Sequence, residues 1–268
     1  MQISKEVRVT TNSIDTQSLV AACDSRWSAE LDNDHYLVLD DSGFHKLAYK
    51  QSGCMVVAGD LQLIEGWMNW FAAQTWDFLN TPELDRIDQN GKLQNIVFHL
   101  ILANGRVLSP PPHPNVRPPL EFEGWAKFVG TGAPFALNCF AENRSVVLSV
   151  ETAGKYDVCT GGPTLHRDVR QNTANVPPFT CDAAGVLQDM INRGVVMNSK
   201  TMQPVGNLAE FAARKSGMDG AAAANLSNLV VSAPTGAPAF VWTQEQKSEL
   251  MKAFAEMAVL EAELQARK

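Results

Sequence analysis

The chain has no cluster of Lys and Arg, no CxxC pair, no membrane-length apolar run and no widely shared phosphate- or metal-binding signature. A formal charge of −7 without a basic patch argues against a nucleic-acid or anionic-membrane surface, which needs concentrated cations. The five cysteines, Cys23, Cys54, Cys139, Cys159 and Cys181, form an odd set without metal-type spacing, which fits unpaired thiols in a reducing compartment. No stretch approaches the ~18 to 20 apolar residues of a membrane helix, and the start Met1-Gln2-Ile3-Ser4 carries no apolar leader, so a cytoplasmic location is expected. His35, His45, His99, His113 and His166 are scattered outside any HExxH pattern, and GxSxG, GxGxxG and P-loop motifs are missing; neither metal nor cofactor is expected.

What is present is one core's worth of apolar sequence: 268 residues, 45% hydrophobic. The chain opens with short strand patterns. Val7 and Val9 alternate, Leu19 to Cys23 is a continuous apolar run, and Asn12 to Gln17 has the composition of the turn between them. Tyr36 to Leu39 and Cys54 to Ala58 add two strands, with Asp40 to Gly43 as a polar turn. From Asp60, a candidate N-cap, the period becomes helical through Leu61, Ile64, Met68, Phe71 and Phe78, with Trp67, Trp70 and Trp76 widening the stripe and Pro82 beyond its end.

Ile96 to Ala103 returns to strand before the hairpin signal Asn104-Gly105. Ser109 to Leu120 holds six of the fourteen prolines and reads as an extended loop. A strand from Gly124 to Val129 then turns through Gly130-Thr131-Gly132 into a helix over Ala133 to Asn143, and a second helix runs from about Ser145 to Tyr156. After residue 175 the pattern loosens. Asp182 to Arg193 is a short helix, Ala221 to Pro238 has linker composition, and Thr243 with Gln246 forms a capping box ahead of the stripe Leu250, Phe254, Met257, Leu260 and Leu264.

Four short motifs, in this order, carry the candidate chemistry: Cys23-Asp24-Ser25-Arg26, Lys46 in Phe44-His45-Lys46-Leu47, Ala58-Gly59-Asp60, and Gly130-Thr131-Gly132 with Asp157 to Gly162. Together they resemble the proteasome-subunit branch of the N-terminal-nucleophile (Ntn) hydrolases. The resemblance spans residues 3 to 170 and implies an α+β fold, the four-layer αββα sandwich. The expected organisation is such a domain over residues 1–175 and a helical C-terminal extension over 176–268.

In that family a Thr, Ser or Cys at the mature N-terminus attacks an amide carbonyl and its own α-amine is the base, a fitting role for a group of pKa ~8. By resemblance, Asp24 and Lys46 tune the nucleophile and Gly59, thirteen residues after Lys46, supplies the oxyanion N–H. Thr131, Asp157 and Thr160 hold the amine. The neighbouring Asp60 places a carboxylate where negative charge develops.

The nucleophile itself stays open. A family-length hairpin counted back from Asp24 ends near Arg8, a longer turn reaches Ser4, and a shorter one ends at Thr10 or Thr11. Two functions follow. Cleavage before Ser4, Thr10 or Thr11 makes an amide or peptide hydrolase. A retained Met1-Gln2 makes a non-catalytic subunit or binding module of the same fold. Either version is expected to self-associate as a ring or dimer.

Overall fold

The structure, a computed structural model, describes residues 10–89, 91–109, 119–216, 231–233 and 239–267. In chain order the elements begin with β1 (Asn12–Asp15), β2 (Val20–Cys23), β3 (Trp27–Glu30), β4 (His35–Leu39), β5 (Leu47–Lys50), β6 (Gly53–Asp60) and α1 (Leu61–Ala72). Next come β7 (Asp85–Ile87), β8 (Leu93–Leu102), β9 (Val107–Leu108), β10 (Leu120–Phe122), β11 (Ala126–Val129), α2 (Ala133–Asn143) and α3 (Val146–Ala153). The remainder is β12 (Leu165–Asp168), β13 (Thr173–Ala174), α4 (Ala183–Arg193), β14 (Val195–Asn198), β15 (Gln203–Asn207), α5 (Leu208–Ser216), β16 (Ser232–Ala233) and α6 (Gln244–Ala266). The class is α+β, and the described strand pairings are antiparallel.

Two sheets organise the chain. One has the order β10-β11-β1-β2-β12-β13; the other runs β15-β14-β4-β3-β16-β6-β8-β7, with β5 also on β6 and β9 on β8. Alternation along a strand decides what each face meets. On β6, Cys54 and Val56 join Leu47 and Ile101 in a buried cluster with Ile14, Ala21, Cys23 and Leu165 of the first sheet. Met55 and Val57 point the other way, into a cluster with Trp67, Met68 and Phe71 of α1, Met190 of α4 and Phe254 of α6. A strand buried on both faces has no polar side to alternate with, which is why Cys54 to Ala58 is an unbroken apolar run. The opposite face of the first sheet, through Ala22, Ala126 and Phe128, packs under Ala136 and Phe140 of α2 and Val150 of α3.

Helix starts follow their caps. The Asp60 carboxylate accepts from the N–H groups of Gln62 (3.1 Å) and Leu63 (3.2 Å) at the head of α1. Asp182 caps α4 through Gly185 N–H at 2.8 Å, and the Thr243–Gln246 capping box opens α6. Each such cap contributes on the order of 1 kcal/mol.

Several expected boundaries move. Asn12 to Gln17 is not a turn: Asn12–Asp15 is β1, and the reversal lies at residues 16–19. Part of the polar surface of these turn-like residues is matched in the buried strand, while Asn12 Oδ1 and Ser13 Oγ are buried without a hydrogen-bond partner among the described residues. The Asn12 amide donates to Val57 O (3.3 Å), and the Asp15 carboxylate accepts from the N–H groups of Gln17 (2.8 Å) and Ser18 (3.0 Å). Phe78 is not on α1, which ends at Ala72; it is 40% exposed and meets Trp70 edge-on from the following loop. The helix expected to reach Tyr156 ends at Ala153.

Beyond residue 175, β14 pairs with β4, β16 lies between β3 and β6, and Leu250, Phe254 and Met257 of α6 are buried in the cluster around Trp67. The stripe on α6 therefore finds its partner within this chain. Most of the Ser109 to Leu120 loop, most of the Ala221 to Pro238 segment, and residues 1–9 lie outside the described residues. Among the described residues no helix is long and apolar enough to cross a membrane.

Candidate active site

Three loops converge where β1 begins. β2 ends at Cys23 and leaves Asp24 just beyond the sheet, 1% exposed. Its carboxylate is held by backbone donors on both oxygens: Thr11 N–H at 3.0 Å on Oδ1, and Arg26 N–H at 3.0 Å and Gly161 N–H at 3.3 Å on Oδ2. Lys46, fully buried immediately before β5, brings its ammonium to 3.0 Å from Asp24 Oδ1. The same Nζ donates to Arg26 O at 2.7 Å and to the Thr10 hydroxyl at 2.5 Å. Thr10 in turn donates its hydroxyl proton to Asp24 Oδ1. Lys46 thus hydrogen-bonds one hydroxyl and one carbonyl while ion-paired with the Asp24 carboxylate, which fixes the Thr10 oxygen between a cation and an anion.

A second polar group adjoins the first through the Thr10–Thr11 peptide. Thr11 Oγ1 lies 2.8 Å from Thr160 Oγ1, Thr160 donates to Asp157 Oδ2 at 2.6 Å, and Thr131 donates to the same oxygen at 2.6 Å. Burial raises the Asp157 pKa above the ordinary carboxylate value, and the two hydroxyl donors hold the rise back. Because the folded-state value is raised, Asp157 contributes stability present below the unfolded pKa of ~3.9 and lost as pH rises through the folded value. Asp157→Asn removes that titration, so the stability advantage of the unaltered chain over the variant is expected to shrink between pH 4 and pH 7. Urea midpoints at the two pH values measure it; a constant difference contradicts the assignment.

The glycines here are spacing devices. Gly130 has φ +115°, and a Cβ at this position would lie 1.5 Å from Thr10 O, so the β11–α2 turn is pressed against the Thr10 backbone. Gly130→Ala is therefore expected to cost a few kcal/mol and to push Thr10 away from Lys46. Thermal unfolding, with the crystal structure of the variant, tests both parts. Gly161 and Gly162 make room for side chains of the loop after β2. A Cβ on Gly161 would strike the Arg26 guanidinium at 2.4 Å, and one on Gly162 would meet Ser25 Oγ at 2.4 Å.

Arg26 is the residue to which the motif order assigns no role. It binds both oxygens of Asp40, at 2.6 Å and 2.8 Å, and donates to Val158 O at 2.8 Å. It thereby clamps the loop after β2 onto the loop that carries Asp157 and Thr160. Its place within Asp24-Ser25-Arg26 is the one sequence signal that points to it.

Asp60 does not aim its charge at this site. Arg86 donates to both of its oxygens, at 2.8 Å and 2.7 Å, in addition to the two N–H groups of α1. Gly59 sits at the end of β6 with φ +135°, between Ile96 of β8 and Ala233 of β16. It is not in hydrogen-bond contact with Thr10; strand geometry alone links it to the site. Ser4 lies outside the described residues.

The remaining titratable groups have other roles. Burial raises the Cys23 thiol far above its ordinary pKa and pushes Cys54 up to about 12, which makes both apolar core residues at neutral pH. His99 is buried in β8 with its pKa lowered to about 3, and its Nδ1 is 3.1 Å from Ser109 Oγ. The cysteines are free, and the described residues hold no cluster of His, Cys, Asp and Glu suited to a metal. Comparison with protein-family models gives no match, and comparison with curated proteins gives none either.

Proposed function

We propose that this chain is an Ntn-type amide or peptide hydrolase of proteasome-subunit type, with Thr10 as nucleophile once residues 1–9 are removed. The observation that carries the reading is the threefold contact of Lys46 Nζ with Thr10 Oγ1, Asp24 Oδ1 and Arg26 O. It supports Thr10 over Thr11, whose hydroxyl faces Thr160 instead; Ser4 lies outside the described residues. The packing of helices on the outer face of each sheet, with a buried cluster between the sheets, supports the four-layer αββα arrangement.

In this reading the Thr10 hydroxyl first attacks the Val9 carbonyl carbon, the Val9–Thr10 C–N bond breaks as the hydroxyl proton passes to the nitrogen, and water hydrolyses the resulting ester to leave the Val9 carboxylate and a free Thr10 amine. In turnover that amine takes the hydroxyl proton as Oγ1 attacks the substrate amide. It then returns the proton to the leaving nitrogen, and water hydrolyses the acyl-enzyme. Lys46 counters the charge on the reacting oxygen, and Asp24 fixes the Lys46 ammonium beside it. Thr131, Asp157 and Thr160 form the hydroxyl–carboxylate group that receives the new ammonium. Gly59 serves as oxyanion donor.

The competing reading, a non-catalytic subunit acting through self-assembly or a partner, is favoured by one specific fact: with Val9 attached, Thr10 has no free amine. Self-association as a ring or dimer and a cytoplasmic location belong to both readings. Treatment with a peptide β-lactone tests the nucleophile. An acyl adduct located on Thr10 by tandem mass spectrometry is expected, and an unlabelled Thr10 in chains that begin at that residue would contradict the proposal.

A further inference from the structure

β3 and β6 both leave the site, yet they are not bonded to each other. Arg26 O, the acceptor of Lys46 Nζ, lies two residues before Ser28. Val57, whose carbonyl accepts from the Asn12 amide and whose N–H donates to Lys46 O at 2.9 Å, lies two residues before Gly59. Two strand residues span about 7 Å, so Ser28 and Gly59 stand on either side of a groove that opens next to the reacting hydroxyl. Val231 to Ala233 fills it. Ser232 is the antiparallel partner of Ser28 on one side and Asp60 on the other, Ala233 pairs with Gly59, and Val231 O accepts from Leu61 N–H at 3.3 Å.

We propose that Val231–Ala233 is an intramolecular plug: an extended segment of the chain itself lying in the strand-acceptor groove that an amide substrate must enter. The proposal rests on the reading of Thr10 as an amide-hydrolysing nucleophile. The described contacts that a competing peptide would have to replace are few. Among the described residues β16 covers Ser232 and Ala233, whereas β6 and β8 pair over seven positions. Among the described residues of the segment, Val231 is buried, 5% exposed, in the core beside α1. Ser232, the residue paired on both sides, offers little further apolar area to hold it. Strand addition gives affinity through main-chain hydrogen bonds, so another extended peptide presents the same groups and competes directly. Gly59, the proposed oxyanion donor, is covered while Ala233 is paired to it. The plug therefore sets how much of the protein is competent to bind substrate.

The test uses the full chain carrying Thr10→Ala, which removes chemistry, with and without Ser232→Pro, which disfavours the central-strand position. The probe is a fluorescent hexapeptide with the sequence of residues 229–234, followed by polarisation. Opening the groove raises the competent fraction, so binding to the Ser232→Pro chain is expected to be at least about tenfold tighter than to its parent. Equal affinity in a folded variant overturns the plug.

If Ser232→Pro does not unfold cooperatively, hydrogen exchange on the Thr10→Ala chain decides. The Leu61 amide, bonded to Val231 O, is expected to exchange faster than the β6 amides paired with β8, and to slow when the hexapeptide is added; equal protection overturns the proposal. The hydrolase reading fails separately. Tight hexapeptide binding to the Ser232→Pro chain, with no cleavage of any peptide once Thr10 is restored and exposed, supports the plug and contradicts catalysis.

Discussion

Thr10→Ala is expected to leave the peptide bond after Val9 intact in a folded protein and to lower amide hydrolysis by roughly 10³-fold or more. The substitution removes the oxygen that accepts from Lys46 and donates to Asp24, while the Lys46–Asp24 pair keeps its own 3.0 Å contact. Stability should therefore fall by about 2 to 4 kcal/mol, the scale of two lost hydrogen bonds to charged groups partly offset by the retained ion pair. Thr11→Ala makes the informative partner. Its hydroxyl bonds Thr160 rather than Lys46, so processing is expected to survive with a weaker effect on turnover. Turnover rates and N-terminal masses of the two variants, measured side by side, separate nucleophile from neighbour. Full activity in Thr10→Ala would rule out Thr10 as the attacking group.

Lys46→Ala is expected to do damage of a second kind. From sequence alone this change should spare the fold, but Lys46 is fully buried and its partner Asp24 is 1% exposed. Removing one member of a buried pair leaves an uncompensated charge and costs about 3 to 5 kcal/mol, a large part of the stability of an ordinary domain. The four remaining donors on Asp24, from Thr10, Thr11, Arg26 and Gly161, place the cost nearer the lower figure. The double change Lys46→Met with Asp24→Asn takes out both charges and is expected to recover most of the stability without recovering activity. Urea denaturation together with turnover for the single and double variants measures this. A stable but inactive double variant assigns the pair to chemistry; a fully active one removes it from the site.

Much of the site can be read from the order of short motifs. Asp24 and Lys46 meet at Thr10, and Thr131, Asp157 and Thr160 meet one another, although Lys46 and Asp157 lie more than a hundred residues apart. Choosing among Ser4, Thr10 and Thr11 is harder because it hangs on the length of one hairpin. Asn12 to Gln17 has turn composition, and placing the turn there pushes the strand start back toward Arg8. The structure puts the turn at residues 16–19, so the shorter hairpin ends with Thr10 at the Lys46 ammonium. Local propensity fails at this strand because it is fixed from a distance, by pairing with β11 and by the bond from the Asn12 amide to Val57 O, and a sequence window does not contain those partners.

Asp60 misleads for a similar reason. Its charge looks adverse beside Gly59 until Arg86, twenty-six residues away, is seen bound to both oxygens. The segments after residue 175 are hardest. The pairing of β14 with β4, and of Ser232 with both Ser28 and Asp60, joins positions more than 150 residues apart with no local signature. By contrast α1, α2 and α6 are legible because caps and periodic stripes lie within a single window: Asp60, the Gly132–Pro134 turn, and Thr243 with Gln246.

The measurement that bears most directly on Thr10 as an N-terminal nucleophile is the intact mass of the purified protein, with its first residue identified by sequencing. A chain that begins at Thr10 is the expected result: it places a free amine beside the hydroxyl that Lys46 and Asp24 hold. A mass that retains Val9 in folded protein after prolonged incubation would contradict it, because Thr10 would then have no amine to act as base.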